Sequence, residues 1–87
     1  MQLHGAFLRE QGVNFGILVV KSHVLNNHTE AQKTIHEASQ RLFNGYPVIL
    51  MAQDSRGTPS YYGRRDIAKF LANVPLGNIP FKRYMIS

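Results

Sequence analysis

The sequence predicts a small α/β domain: a two-layer βαββαβ unit built on a mixed four-stranded sheet. Three observations lead there. Residues 15–20 and 47–52 are nearly continuous apolar runs, as in strands covered on both faces. Two apolar stripes at helical spacing follow those strands: Ala31, Ile35, Ala38 and Leu42, then Ile67, Phe70, Leu71 and Val74. The 87 residues are enough for one domain, 1–87, and too few for two.

Taken in order, Ala6-Phe7-Leu8-Arg9-Glu10-Gln11 reads as a short helix stopped by Gly12. Phe15 to Lys21 is the first strand, β-branched toward its end. Asn26-Asn27-His28-Thr29 is a turn and cap cluster, with Thr29 and Gln32 spaced as a capping box for the first long helix. Asn44-Gly45 ends that helix, because glycine accepts the left-handed conformation needed there. Pro47 to Ala52 is the second strand, Asp54-Ser55-Arg56-Gly57 a hairpin turn, and Thr58 to Tyr62 the third strand. Pro59 has no N–H to donate, so the third strand belongs at a sheet edge. Gly63-Arg64-Arg65-Asp66 opens the second helix, and Pro75 closes it. Phe81 to Ile86 is the last strand, with Lys82 and Arg83 protecting an exposed edge.

A crossover through the first long helix places the first two strands side by side and parallel, giving the order 4-1-2-3. The ferredoxin-like order 4-1-3-2 would force Pro59 into an interior strand. The expected core is Ile17, Val19, Ile35, Leu42, Val48, Leu50, Ile67, Phe70 and Leu71.

Composition narrows function by exclusion. The chain has no cysteine, which removes disulfides, thiolate metal sites and thiol catalysis and suits a reducing, cytoplasmic setting. There is no Gly-rich phosphate loop, HExxH, nucleophile elbow or paired-carboxylate motif. The four histidines are not spaced as metal ligands on one helix. No cofactor, metal or catalytic residue is therefore expected. The longest apolar run is far short of a membrane span, and no membrane association is expected.

The net charge of +5 is uneven: residues 1–50 carry a net of +1 and residues 51–87 a net of +4. Such a half attracts acidic partners, nucleic acid or an acidic protein. The candidate contact residues are Arg56, Tyr62, Arg64, Arg65, Lys69, Lys82 and Arg83. Tyr61 and Tyr62 point to opposite sides of a strand, so only one belongs to the core. Arg64 and Arg65 stand at a helix start, where backbone N–H groups favour an anion and arginine bonds phosphate or carboxylate in a bidentate fork. Lys82-Arg83-Tyr84 is a second basic and aromatic cluster. The alternative expectation is a homo-oligomerisation or protein–protein module that pairs through an exposed strand edge, most readily the last strand.

Three stretches carry a resemblance: Phe7 to Phe15, Gly45 to Leu50 and Tyr62 to Ile67. Together they resemble the later part of glutaredoxins and other thioredoxin-fold proteins, over about residues 6–74. The resemblance implies a cis-proline at Pro47 and a glutathione-binding region at Gly63 and Asp66. It does not extend to redox activity, because the CxxC motif is missing.

Overall fold

Strands that are apolar on both sides need cover on both sides, and the two apolar runs lie inside the sheet between two such covers. A computed structural model describes residues 2–10 and 12–85. Its elements are β1 (Gln2–Glu10), β2 (Val13–Val19), α1 (Ser22–Leu25), α2 (His28–Leu42), β3 (Val48–Gln53), β4 (Pro59–Tyr62), α3 (Arg65–Leu71), a 3-10 turn at Leu76–Asn78, and β5 (Lys82–Met85).

They form one mixed sheet of order β4-β3-β2-β1-β5. β2 and β3 are parallel, from Gly16↔Val48 to Val19↔Met51. β4 runs antiparallel to β3, and the register pairs Gln53 with Pro59 at the edge where a proline is tolerated. In the hairpin turn between them, Asp54 Oδ1 accepts hydrogen bonds from the backbone N–H groups of Arg56 and Thr58, at 2.8 and 2.9 Å.

The N-terminal segment corrects the sequence-based expectation. Residues 6–10 are extended, not helical, and Gln11 lies outside the described residues. β1 pairs antiparallel with β2 from Gly5↔Leu18 to Glu10↔Val13, and with β5 from Gln2↔Met85 to Gly5↔Lys82. Alanine, leucine, arginine and glutamate favour a helix locally, but the difference is tenths of a kcal/mol per residue. Full burial of Ala6 and the antiparallel ladder with β2 outweigh it, while β5 pairs with the preceding residues 2–5. Gly12 does take a positive φ, 78°, but in a hairpin connection. The sheet therefore has five strands, and β1 stands between the first and last strands of the anticipated 4-1-2-3 order.

The layering is corrected as well. Leu18, Val48 and Leu50 point to one face, where they meet Val24, Ala31, Ala38 and Phe43. Ile17, Ile49 and Met51 point to the other, where they meet Ile67, Leu71 and Ile79. The α1–α2 connection thus covers one face and α3 the other, giving three layers instead of two. Of the expected core, Ile17, Val48, Leu50, Ile67 and Leu71 are buried, while Val19, Ile35, Leu42 and Phe70 are half-buried against them.

Three local details also differ. The α2 N-cap is Asn27, whose side-chain oxygen accepts the Glu30 N–H at 3.0 Å, so the helix begins two residues before a Thr29 cap would allow. The peptide bond before Pro47 is trans. β5 begins at Lys82, one residue later than the expected Phe81, and Ile86 lies outside the described residues.

Candidate functional site

On the α2 side, the helices lie against β3. Beyond them the same face continues over β1 and β5, where the cover is the short segment following α2. Its Phe43 ring is 2% exposed and rests over Gly16 of β2. A Cβ at Gly16 would come within 2.6 Å of that ring, so only glycine lets Phe43 lie against the strand. Phe43 then organises the surface around it. Phe7 of β1 stacks on it with centroids 6.0 Å apart and planes 13° from parallel. Tyr84 of β5 meets it edge-on at 5.2 Å. Tyr46 leans on the Phe7 ring at 5.5 Å.

The result is a row of rings, Tyr46–Phe7–Phe43–Tyr84, running from the end of α2 across β1 to β5. Phe43 is core and Tyr84 half-buried against it, but Phe7 is 42% exposed and Tyr46 40% exposed. Lys82 continues the row, with its ammonium 5.1 Å from the Tyr84 ring centroid. Strand alternation places Arg9, exposed, on the same face as Phe7. The acidic neighbour Glu10 faces the other way, lining a recess with Phe15, Asp66 and Phe70 on the α3 side. No Asp or Glu of β1 or β5 points to the aromatic face.

The residues singled out from sequence are distributed differently. Arg56 is in the β3–β4 turn, and Arg64, Arg65 and Lys69 belong to α3 or its start, at the far end of β4. Lys82 and Arg83 are on β5, the opposite edge of the sheet, about 19 Å away by strand spacing. Adjacent in sequence, they point to opposite faces, and only Lys82 joins the aromatic row. The seven do not form a single face.

The two tyrosines do divide between faces. Tyr61 packs in the α3-side core, where burial raises the pKa of its hydroxyl. Tyr62 packs on the α2 side, and its hydroxyl hydrogen-bonds His28 Nδ1 and accepts from Gln32 Nε2 at 3.4 Å. Tyr62 thereby ties the β4 edge to the start of α2, which is a structural role. Gly63 has φ +148°, and a Cβ there would stand 2.7 Å from Ile49 Cδ1, so close packing and backbone conformation account for it.

Arg64 forks onto Asp66, Nε to Oδ1 and Nη2 to Oδ2, both at 2.9 Å. This bidentate contact, chiefly its side-chain hydrogen bond, holds the Asp66 carboxyl below its ordinary pKa. Any stability it adds is present above the unfolded pKa and lost as pH falls through the depressed folded value. Both side chains are more than half exposed, so water screens the pair and the effect is small. Arg64→Ala is expected to return the Asp66 carboxyl toward its ordinary value, visible as an upward-shifted midpoint in an NMR titration of the carboxylate carbon. An unmoved midpoint would show that the fork does not persist in solution.

Phe7, Arg9 and Tyr46 are candidate residues of this face that the sequence does not single out. For Phe7 and Arg9 the signal is in β1, where Leu3, Phe7 and Arg9 share one parity, but it is legible only once residues 2–10 are recognised as a strand; Tyr46 has no such local signal. Among the described residues, no cluster of His, Asp or Glu could hold a metal ion, and no helix is long and apolar enough to cross a membrane. No family model, no curated protein and no solved structure matches the chain.

Proposed function

We propose that this chain is a small non-catalytic nucleic-acid-binding module, and that the open α2-side face of β1 and β5 is its contact surface. The observation that supports this reading is the combination on one face of exposed Phe7 and Tyr46 with the cations Arg9 and Lys82, with no strand carboxylate beside them. A net charge of +5 adds long-range attraction for a polyanion, to which Arg56, Arg65 and Lys69 contribute from other parts of the surface. Phosphates supply the charge that arginine and lysine neutralise, and nucleobases supply flat partners for rings. An acidic protein would use the cations but would leave the rings without matching partners.

The test is fluorescence anisotropy with a labelled oligonucleotide over a range of salt concentrations. Affinity is expected to fall log-linearly with salt, with a slope of about −0.7 to −0.9 per phosphate neutralised. Replacing both Arg9 and Lys82 with alanine should flatten the slope by about 1–2 units. Absence of binding at low salt would overturn the reading. Equal or tighter binding of polyglutamate would reassign the surface to acidic proteins.

A further inference from the structure

The ring geometry says more about the ligand than charge does. Charge alone accepts any polyanion, duplex or single-stranded. Rings lying on a sheet surface are selective, because they need a flat partner with a free face. In a duplex each base is stacked on its neighbours and shows only its edges in the grooves. An unpaired base has its faces available, and base–aromatic stacking is the main contact of proteins that hold single strands.

Two features of this face suit that use. Phe7 is backed by Phe43, whose burial holds the ring in place before any ligand arrives, so little side-chain freedom remains to be lost. Phe7 and Tyr46 stand 5.5 Å apart with planes inclined at 56°, so they offer neighbouring but differently oriented surfaces. Successive bases of a flexible strand can meet both, while the rigid parallel stack of a duplex cannot. The cations lie to the sides of the rings: Arg9 two residues along β1 from Phe7, and Lys82 on the neighbouring strand.

Resting on the nucleic-acid reading above, we infer that the ligand is an unpaired strand, with one or two nucleobases stacked on Phe7 and Tyr46 and the flanking phosphates held by Arg9 and Lys82. The chemistry recognised, a flat base beside a phosphodiester, is common to RNA and DNA.

The experiment titrates wild type, Phe7→Ala, Phe7→Tyr and Tyr46→Ala with an oligouridylate, an oligothymidylate and a DNA duplex of equal length. Single strands are expected to bind about tenfold or more tightly than the duplex. Each alanine variant should lose about tenfold in single-strand affinity, and Phe7→Tyr should retain most of it. Circular dichroism checks that each variant is folded. In wild type, the ring proton resonances of Phe7 and Tyr46 should move upfield on adding either single strand, a readout that needs no variant. Preference for the uridylate or for the thymidylate would both support stacking, and an oligodeoxyuridylate, which shares its base with the first and its sugar with the second, identifies the sugar recognised. Salt-dependent binding that is equal for duplex and single strand, with static ring resonances, would overturn this inference and leave the nucleic-acid reading intact. Absence of binding to all three would overturn both.

Discussion

Phe43→Ala is expected to destabilise the protein by about 3–5 kcal/mol, the range for truncating a buried phenylalanine. The ring is 2% exposed, lies over Gly16, and contacts both Phe7 and Tyr84. Its removal opens a cavity between the end of α2 and the sheet, and the ring next to it loses its support. Urea denaturation measures the loss, and a value below about 1 kcal/mol would mean that the surrounding chain collapses into the space. The same site yields a sharper check. Gly16→Ala alone should also destabilise, because its Cβ would meet the Phe43 ring at 2.6 Å. In the double variant the new methyl group occupies part of the space that Phe43 leaves. The double variant should therefore be more stable than the sum of the single losses allows. Strict additivity would show that the two residues do not share that space.

Leu50→Ala should cost about 2–5 kcal/mol, again as a cavity in a packed interior. Leu50 is 0% exposed and lies in the middle of β3, between β2 and β4. It meets the small residues Ala31 and Ala38 of α2 in the same core, and they cannot swing in to fill the gap. Ile35→Ala should cost less, because Ile35 is only half-buried at the edge of that cluster. Thermal melts of the two variants rank them, and equal losses would show that the α2 stripe is more deeply seated than its exposure indicates.

The candidate surface is only partly legible in the sequence. Lys82 and Tyr84 stand out as neighbours in sequence, and their alternate spacing puts them on one side of β5. Phe7 and Tyr46 are 39 positions apart and far from both, so nothing local relates them. Arg64 and Arg65 form a pair of cations at a helix start, yet the Arg64 fork is occupied by Asp66 two residues on. Local sequence shows which residues carry charge, but not which charges already have partners.

Several features of the fold follow from sequence alone. The apolar runs of β2 and β3 demand cover on both faces, the stripe Ala31-Ile35-Ala38-Leu42 demands a helix, and Pro59 demands an edge; each follows from short-range periodicity or from a missing N–H. The identity of β1 was decided by tertiary structure. Ala6, Leu8, Arg9 and Glu10 are helix formers by intrinsic preference, and pairing of residues 5–10 with β2, extended by pairing of residues 2–5 with β5, makes the extended state the stable one. The same pairing brings Phe7 beside Tyr46, Phe43 and Tyr84. Two ladders, one with β2 across a hairpin and one with β5 from the far end of the chain, therefore determined both the width of the sheet and the surface proposed to act.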